Sequence, residues 1–287
     1  MSVRQWIHQS EARLGAGPHP ARAGRDAELL MLHVLGKDKA WLMAHPHEIL
    51  AGMDAVRYYA MVDRRLAGEP IQYITGETEF YGLPFQVNHD VLIPRPETEH
   101  LVEKVIELAG GFHRSLIPQP RIVDVGTGSG AIAVTLAAKL AYAEITAIDL
   151  SAAALAVARR NTKSNGVAGR IRFLQGDLLA PVAEERFEIV VSNPPYVPQG
   201  DRDGLAVEVR DFEPGLALFA GDDGLDIYRR LIPDAFAVLV PGGFLAMEIG
   251  FGQSEAIEKL LAVAGFEQIE FVPDLQGIPR VACGRRQ

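Results

Sequence analysis

The chain has 287 residues, 48% of them apolar, and carries a formal charge of −9 with a sequence pI near 5.4. That length can bury one large core with room for a small second domain, and the acidic balance opposes broad binding to a phosphate backbone, which basic domains usually perform. A single cysteine, Cys283, excludes an internal disulfide and any zinc cluster; no basic-then-apolar leader opens the sequence, and the longest apolar stretches are broken by Lys139, Glu144 or Pro241-Gly242-Gly243, so the expectation is a cytoplasmic protein without metal or membrane span.

From Ser2 to about Ala67 the chain reads as short helices. Apolar residues recur at helical spacing through Ala27, Leu29, Leu30, Leu32, His33 and Leu35, and Gly36 supplies a stop. Nothing catalytic shows there, and His8, His33, His45 and His47 lack metal-ligand partners at sensible spacing. Arg13, Arg22 and Arg25 cluster early, and Arg57, Arg64 and Arg65 share a later helix. Solvated helix faces account for them better than a nucleic-acid patch. Phe80 to Ile93 then alternates around turn residues like a β-hairpin, bridging to a larger domain that begins near Pro94.

In that domain a helix over Glu97 to Leu108 precedes a β-branched strand, Arg121 to Val125, which runs into Gly126-Thr127-Gly128-Ser129-Gly130 and a helix from Ala131 to Leu140. Glycines let a ligand approach the backbone closely at the carboxyl end of a parallel strand, so a nucleotide-like cofactor is implied. Asp149 ends the next apolar run about 20 residues on, the usual distance for an acid that binds ribose hydroxyls. Gly126-x-Gly128-x-x-Ala131 also fits the dinucleotide fingerprint, so the glycines alone leave a nicotinamide enzyme open. Asp124 favours S-adenosylmethionine instead: a carboxylate at the strand end suits the amino cation of a methionine moiety and opposes a pyrophosphate. A capping or solvated acid is the plainer account of the same residue. A third strand from Arg170 ends at Gly176-Asp177, where Asp177 could bond an adenine amine and Leu178 pack on the ring, although a turn aspartate is an equally simple account.

The strand Phe187 to Ser192 leads into Asn193-Pro194-Pro195-Tyr196. Two prolines lack N–H groups and fix φ, so the chain must leave the sheet at Asn193 with carbonyls free for a ligand. The Asn193 side-chain oxygen and the Pro194 carbonyl can each accept one N–H bond from a planar NH2 group, and Tyr196 offers a face to the conjugated plane carrying it. A loop start is the ordinary alternative for such a segment. Pro198 to Asp223, rich in charge and glycine, reads as a long loop over the site. Gly243 to Ile249 supplies another strand, and Phe266 to Val272 with Arg280 to Gly284 can pair as an antiparallel edge. Alternation of strands and helices predicts right-handed parallel crossovers.

Strand, glycine loop, two acids and Asn-Pro-Pro-Tyr stand in the order found in class I S-adenosylmethionine-dependent amino-methyltransferases. With Gly68-Glu69-Pro70-Ile71-Gln72-Tyr73-Ile74-Thr75-Gly76, Phe80-Tyr81-Gly82, Ile93-Pro94-Arg95-Pro96-Glu97-Thr98-Glu99, Glu213-Pro214, Glu248-Ile249-Gly250 with Gln253, and Asp274 with Gly277 and Arg280, the chain resembles the release-factor glutamine N5-methyltransferases over nearly its whole length. The resemblance implies an α/β fold of class I methyltransferase (Rossmann-like) type, with a mostly parallel sheet, an antiparallel C-terminal edge and a small N-terminal helical domain joined by a β-hairpin. The expected division is a substrate-contacting helical domain over 1–76, a hairpin linker over 77–93 and the methyltransferase domain over 94–287.

By the same resemblance the substrate is the glutamine of the Gly-Gly-Gln loop in class I peptide chain release factors, methylated on its side-chain nitrogen. A monomer is expected, and the acidic charge sets nucleic acid aside as a partner. S-adenosylmethionine, leaving as S-adenosylhomocysteine, is expected against Asp124, Gly126, Thr127, Gly128, Ser129, Gly130, Asp149, Asp177, Leu178 and Asn193. The glutamine is expected against Asn193, Pro194, Pro195 and Tyr196, of which Asn193, Pro194 and Tyr196 carry the catalytic roles. Leu178 departs from the tryptophan that some members of the family carry there. Two rivals remain: a nucleic-acid adenine or guanine amino-methyltransferase, whose acceptor presents the same planar NH2, and a scaffold that binds the cofactor without catalysis.

Overall fold

The structure, a computed structural model, describes residues 1–50, 52–114 and 119–287; Ala51, inside the expected N-terminal helical stretch, lies outside them. Two compact units result. One comprises Met1–Glu77 with Leu205–Phe212, the other Thr78–Gly204 with Glu213–Gln287.

The first unit packs α1 (Val3–Leu14), α2 (Ala23–Leu35), α3 (Lys39–Ala44), α4 (Gly52–Leu66) and α5 (Ile71–Thr75) around Val3, Ala27, Leu30, Met31, Tyr58 and Val62. Ser2 and Gln5 form a capping box at the start of α1, satisfying two N–H groups that the first turn would otherwise leave open. Gly36 ends α2 in the left-handed conformation, as its position after the periodic run predicts. Arg65 corrects the expectation of a solvated basic face. It is 2% exposed, its Nε donating to Asp26 Oδ2 at 2.6 Å and its Nη1 to Glu208 Oε2 at 3.1 Å. Helix periodicity places Arg65 on the side that carries Tyr58 and Val62 toward the core, and a buried guanidinium must find carboxylates there.

The hairpin is shorter than its apolar alternation suggests: β1 (Glu77–Phe80) and β2 (Leu83–Gln86) pair around Tyr81 and Gly82, both at positive φ, and residues 87–93 run on without strand pairing. Then α6 (Thr98–Arg114) leads to the main sheet. Its strands are β3 (Arg121–Val125), β4 (Glu144–Asp149), β5 (Ile171–Gln175), β6 (Phe187–Ser192), β7 (Leu239–Glu248), β8 (Phe266–Pro273) and β9 (Pro279–Arg286), in the order 5-4-3-6-7-9-8. Pairings from β5 to β7 are parallel, while β9 is antiparallel to both β7 and β8.

Strand parity divides the core. Ile122, Ile189 and Ala246 pack with α6 and with α7 (Ala131–Lys139) on one face. Their neighbours Val123, Val190 and Leu245 pack with α10 (Asp226–Val238) and α11 (Ser254–Ala264) on the other, while α8 (Ala152–Ser164) follows β4 and α9 (Val207–Arg210) lies in the first unit. Burial on both faces explains why the central strands read as continuous apolar runs. The segment 198–223 differs from the loop expected of it: it holds short helical turns at Gln199–Gly204 and Gly215–Ala217, the helix α9, and a parallel bridge between Val197 and Phe219. Its turns satisfy their own backbone groups, which charge and glycine content do not reveal.

Candidate functional site

Sheet register assembles the site. Val125 of β3 pairs with Ile148 of β4 and Ser192 of β6, so the residues that follow stand side by side at the carboxyl end of the sheet: Gly126 and Asn193 leave it there, and Asp149 is the last residue of β4. The strand order reverses around β3, the point where open α/β sheets bind ligands. Ser192 also pairs with Met247 of β7, which brings Glu248 next to Asn193.

Gly126, Gly128 and Gly130 all have positive φ but face different surroundings. A Cβ at Gly126 would meet nothing within 4 Å, whereas one at Gly130 would come within 3.1 Å of the Ala158 side chain. The first glycine therefore borders open space and the third lets the turn sit on α8. Asp149 ties this turn down: its Oδ2 accepts the Gly128 N–H and its Oδ1 the Ser151 N–H, both at 2.8 Å. Burial raises the Asp149 pKa, and those backbone N–H groups oppose the rise.

A cavity of about 320 Å³ lies against these strand ends. Of the residues singled out in the sequence, Gly126, Thr127, Gly128, Ser129, Asp149, Asp177, Leu178, Asn193 and Pro195 line it. Asp124, Gly130, Pro194 and Tyr196 are not part of its wall. Asp124 lies fully buried beneath the turn, where its Oδ2 accepts from Thr127 Oγ1 at 2.6 Å and from the Ala133 N–H at 3.2 Å. Its Oδ1 is enclosed without a partner, and burial lifts the pKa to about 7. Asp177 is exposed and pairs with Arg230 at 2.5 Å. Leu178 holds a positive φ of 47°, a conformation costly for an L residue with a bulky side chain. Backbone turn, strand-end acid and apolar cover could together hold a sugar and a flat base.

Opposite the turn, Asn193 donates through Nδ2 to Thr98 Oγ1 at 3.1 Å, and Thr98 donates to Glu248 Oε2 at 2.5 Å. The Tyr196 hydroxyl donates to Glu248 Oε1 at 3.3 Å. Glu248 is nearly solvent-free; burial raises its pKa, while the Thr98 and Tyr196 hydroxyls and the Arg280 charge hold the rise in check. Burial likewise raises the Tyr196 pKa, and the neighbouring Glu248 charge adds to it. Gln253 fixes the end of the corner by donating from Nε2 to the Tyr196 carbonyl at 3.0 Å while its Oε1 accepts the Gly250 N–H at 2.9 Å. Arg95 pairs with the buried Glu213 at 2.5 Å, and Arg280 with Asp274 at 3.0 Å.

Thr98, Glu248 and Gln253 are polar residues to which sequence reasoning gave no role. One signal was present: an acid inside Leu245-Ala246-Met247-Glu248-Ile249 is a charge in a doubly buried strand, and such a charge needs partners. Among the described residues no group of three or more His, Cys, Asp or Glu could hold a metal ion, and no helix is long and apolar enough to cross a membrane.

Comparison with known proteins joins the two units to one lineage. Residues 5–76 match the family described as the PrmC N-terminal domain, and residues 108–209 the methyltransferase small domain. The release factor glutamine methyltransferase of Koribacter versatilis is 41% identical over 100% of this chain and 99% of its own, and that of Moorella thermoacetica is 43% identical with the same coverage. Solved structures share the fold at lower identity. The hMettl16 catalytic domain in complex with an RNA hairpin superposes with a TM-score of 0.57 at 19% identity, covering 85% of this chain and 84% of that one. A T. thermophilus 16S rRNA methyltransferase in complex with AdoMet and guanosine gives 0.51 at 19% identity, covering 74% of this chain and 50% of that one. Full-length identity above 40%, on a sheet that closes in an antiparallel β7-β9-β8 edge, makes this chain a member of the release factor glutamine methyltransferase family.

Proposed function

We propose that the protein transfers a methyl group from S-adenosylmethionine to the side-chain N5 of the glutamine in the Gly-Gly-Gln motif of class I peptide chain release factors. The observation that carries the reading is the position of Asn193, whose carboxamide shares one cavity wall with the glycine turn and Asp149. An acceptor for a planar NH2 group thereby stands beside a nucleoside-sized slot.

The residues fit the cofactor. Open space over Gly126 admits a ligand against the backbone, Asp149 keeps lone pairs for ribose hydroxyls, and Leu178 supplies an aliphatic cover for a base. Asp177 is the acid for the adenine amine, and Thr127, Ser129 and Gly130 complete the turn. Asp124 acts from beneath it, through Thr127 and the Ala133 N–H. Bound there, S-adenosylmethionine supplies an electrophilic methyl group on a sulfonium.

The acceptor is a carboxamide nitrogen, a poor nucleophile because its lone pair is delocalised into the carbonyl. Holding it correctly is thus the main task of the protein, and such positioning can lower a barrier by roughly 7–11 kcal/mol. In this reading Asn193 Oδ1 and the Pro194 carbonyl accept the two amide protons, placing partial negative charge where positive charge develops on nitrogen. Pro195 and Tyr196 keep the corner rigid. No strong general base is required, because the proton becomes acidic only as the new bond forms.

The helical unit over residues 1–76 is the proposed contact for the release factor, and the enzyme is expected to act in the cytoplasm as a monomer without nucleic acid. Offering a release factor and nucleic acid together as acceptors of labelled methyl tests the reading. Label on the release factor, located by mass spectrometry to the glutamine of its Gly-Gly-Gln loop, supports it; label on nucleic acid, or on neither, overturns it.

A further inference from the structure

Asn193 can serve as an acceptor only if its oxygen, and not its NH2, faces the substrate. Rotation by 180° about the last side-chain bond exchanges the two ends with almost no change in shape. Something must choose between them. The network behind Asn193 contains a single hydroxyl, Thr98 Oγ1, in contact with the amide, and that hydroxyl has one proton to give. Its other neighbour is a carboxylate oxygen of Glu248 at 2.5 Å. Glu248 accepts at both of its oxygens, from Thr98 at Oε2 and from the Tyr196 hydroxyl at Oε1, so the Thr98 proton is committed to Glu248 and Thr98 can only accept from Asn193. Asn193 must then turn Nδ2 inward, which leaves Oδ1 as the end available to a ligand. Among the described residues no protein group donates to that oxygen.

We infer that Glu248 and Thr98 are positioning residues for the transfer: the carboxylate sets the direction of the hydrogen bonds, and Thr98 passes that direction to Asn193. The inference rests on the proposed function, since it is the glutamine NH2 that requires an acceptor. The same carboxylate reaches the far end of the corner through Tyr196 at 3.3 Å. One acid in β7 thus addresses both polar side chains of Asn-Pro-Pro-Tyr. Without it, Thr98 would be free to donate to Asn193 Oδ1, and the flipped amide would meet the incoming NH2 with hydrogens on both sides.

Three variants of the full chain test this. Thr98→Val keeps the volume and removes the hydroxyl, Thr98→Ser keeps the hydroxyl, and Glu248→Gln puts a donor where only an acceptor stood. With a release factor as acceptor, Thr98→Val and Glu248→Gln should lower kcat by about tenfold or more, the scale of one lost hydrogen bond to the reacting group. The Kd for S-adenosylhomocysteine should stay within about twofold by calorimetry, and Thr98→Ser should recover most of the kcat lost in Thr98→Val.

A readout free of turnover accompanies these. In protein labelled with 15N-asparagine, the Asn193 side-chain NH2 pair, assigned by its loss in Asn193→Ala, should move in Thr98→Val and Glu248→Gln and keep its wild-type position in Thr98→Ser. An unmoved pair in Thr98→Val, or wild-type kcat in that variant, overturns the inference. Failure of the wild-type protein to methylate a release factor would instead strike the proposed function, and the NMR comparison would still decide the orientation of Asn193. Should Glu248→Gln not fold, the Thr98 pair carries the test alone.

Discussion

Arg65 of α4 and Asp26 of α2 form an ion pair withdrawn from solvent, with Nε 2.6 Å from Oδ2. The guanidinium also donates to the Glu69 carbonyl at 2.9 Å and to Glu208, which the chain delivers from residues 205–212. Removing one member of a buried pair costs about 3–5 kcal/mol where the other is left wholly uncompensated, and Glu208 at 3.1 Å keeps the cost for Arg65 toward the lower end of that range. Asp26→Ala should therefore destabilise the protein on that scale in urea unfolding. Replacing both residues, as Asp26→Ala with Arg65→Met, should cost less than the sum of the two single changes. Strict additivity would show that the pair is not coupled.

This pair also marks a limit of what the sequence discloses. The central strands were legible, because burial on both faces leaves uninterrupted apolar runs, and β3 and β6 have the bounds expected of them. So was the crest of the site, since Gly126, Asp149 and Asn193 each follow such a run. The partners behind that crest were not. Thr98 lies 95 residues from Asn193 and 150 from Glu248, and only the β6–β7 register together with the start of α6 makes them neighbours. Arg65 read as surface for a related reason: helix periodicity gives the facing side, but Asp26 and Glu208 arrive from distant segments.

Asp124 gives stability a pH dependence of defined sign. Its pKa rises on folding from 3.8 to about 7, chiefly through burial. Between those values the folded protein keeps a proton that the unfolded chain has released. Stability contributed by this group is therefore complete below about pH 4 and falls as pH rises toward 7, by roughly 4 kcal/mol at most. Asp124→Asn cannot titrate. The difference in Tm between wild type and Asp124→Asn should accordingly shift against wild type from pH 4 to pH 7 and level off above. A difference that does not change with pH would contradict the raised value.

Asp149 bonds the turn from below and lines the cavity above it. Asp149→Ala should weaken cofactor affinity more than it lowers kcat at saturating cofactor, because the carboxylate is assigned to ribose hydroxyls and not to the reacting nitrogen. Losing hydrogen bonds to a charged group costs about 1.5–3 kcal/mol, so Kd should rise by about tenfold or more. Calorimetric titration with S-adenosylhomocysteine checks this, and an unchanged Kd would remove Asp149 from the cofactor site.

Gly224 offers a way to disturb the acceptor corner without replacing any of its polar side chains. Its φ is +74°, and a Cβ there would lie 2.3 Å from the Tyr196 carbonyl oxygen, the atom that Gln253 holds at 3.0 Å. No side-chain rotation relieves a clash between a Cβ and a main-chain oxygen, so in Gly224→Ala the backbone after Pro195 must move and the Gln253 bond must lengthen or break. The glycine turn and Asp149 sit on other strands and keep their places. Gly224→Ala should therefore cut methyl transfer by about a hundredfold, in line with the sensitivity of reacting geometry to shifts near 1 Å, while S-adenosylhomocysteine binds with nearly wild-type affinity. Parallel measurement of kcat and of that Kd distinguishes the outcomes: equal losses in both would mean that corner and cofactor site move together, and no loss in kcat would mean that the Tyr196 carbonyl is free to shift without consequence.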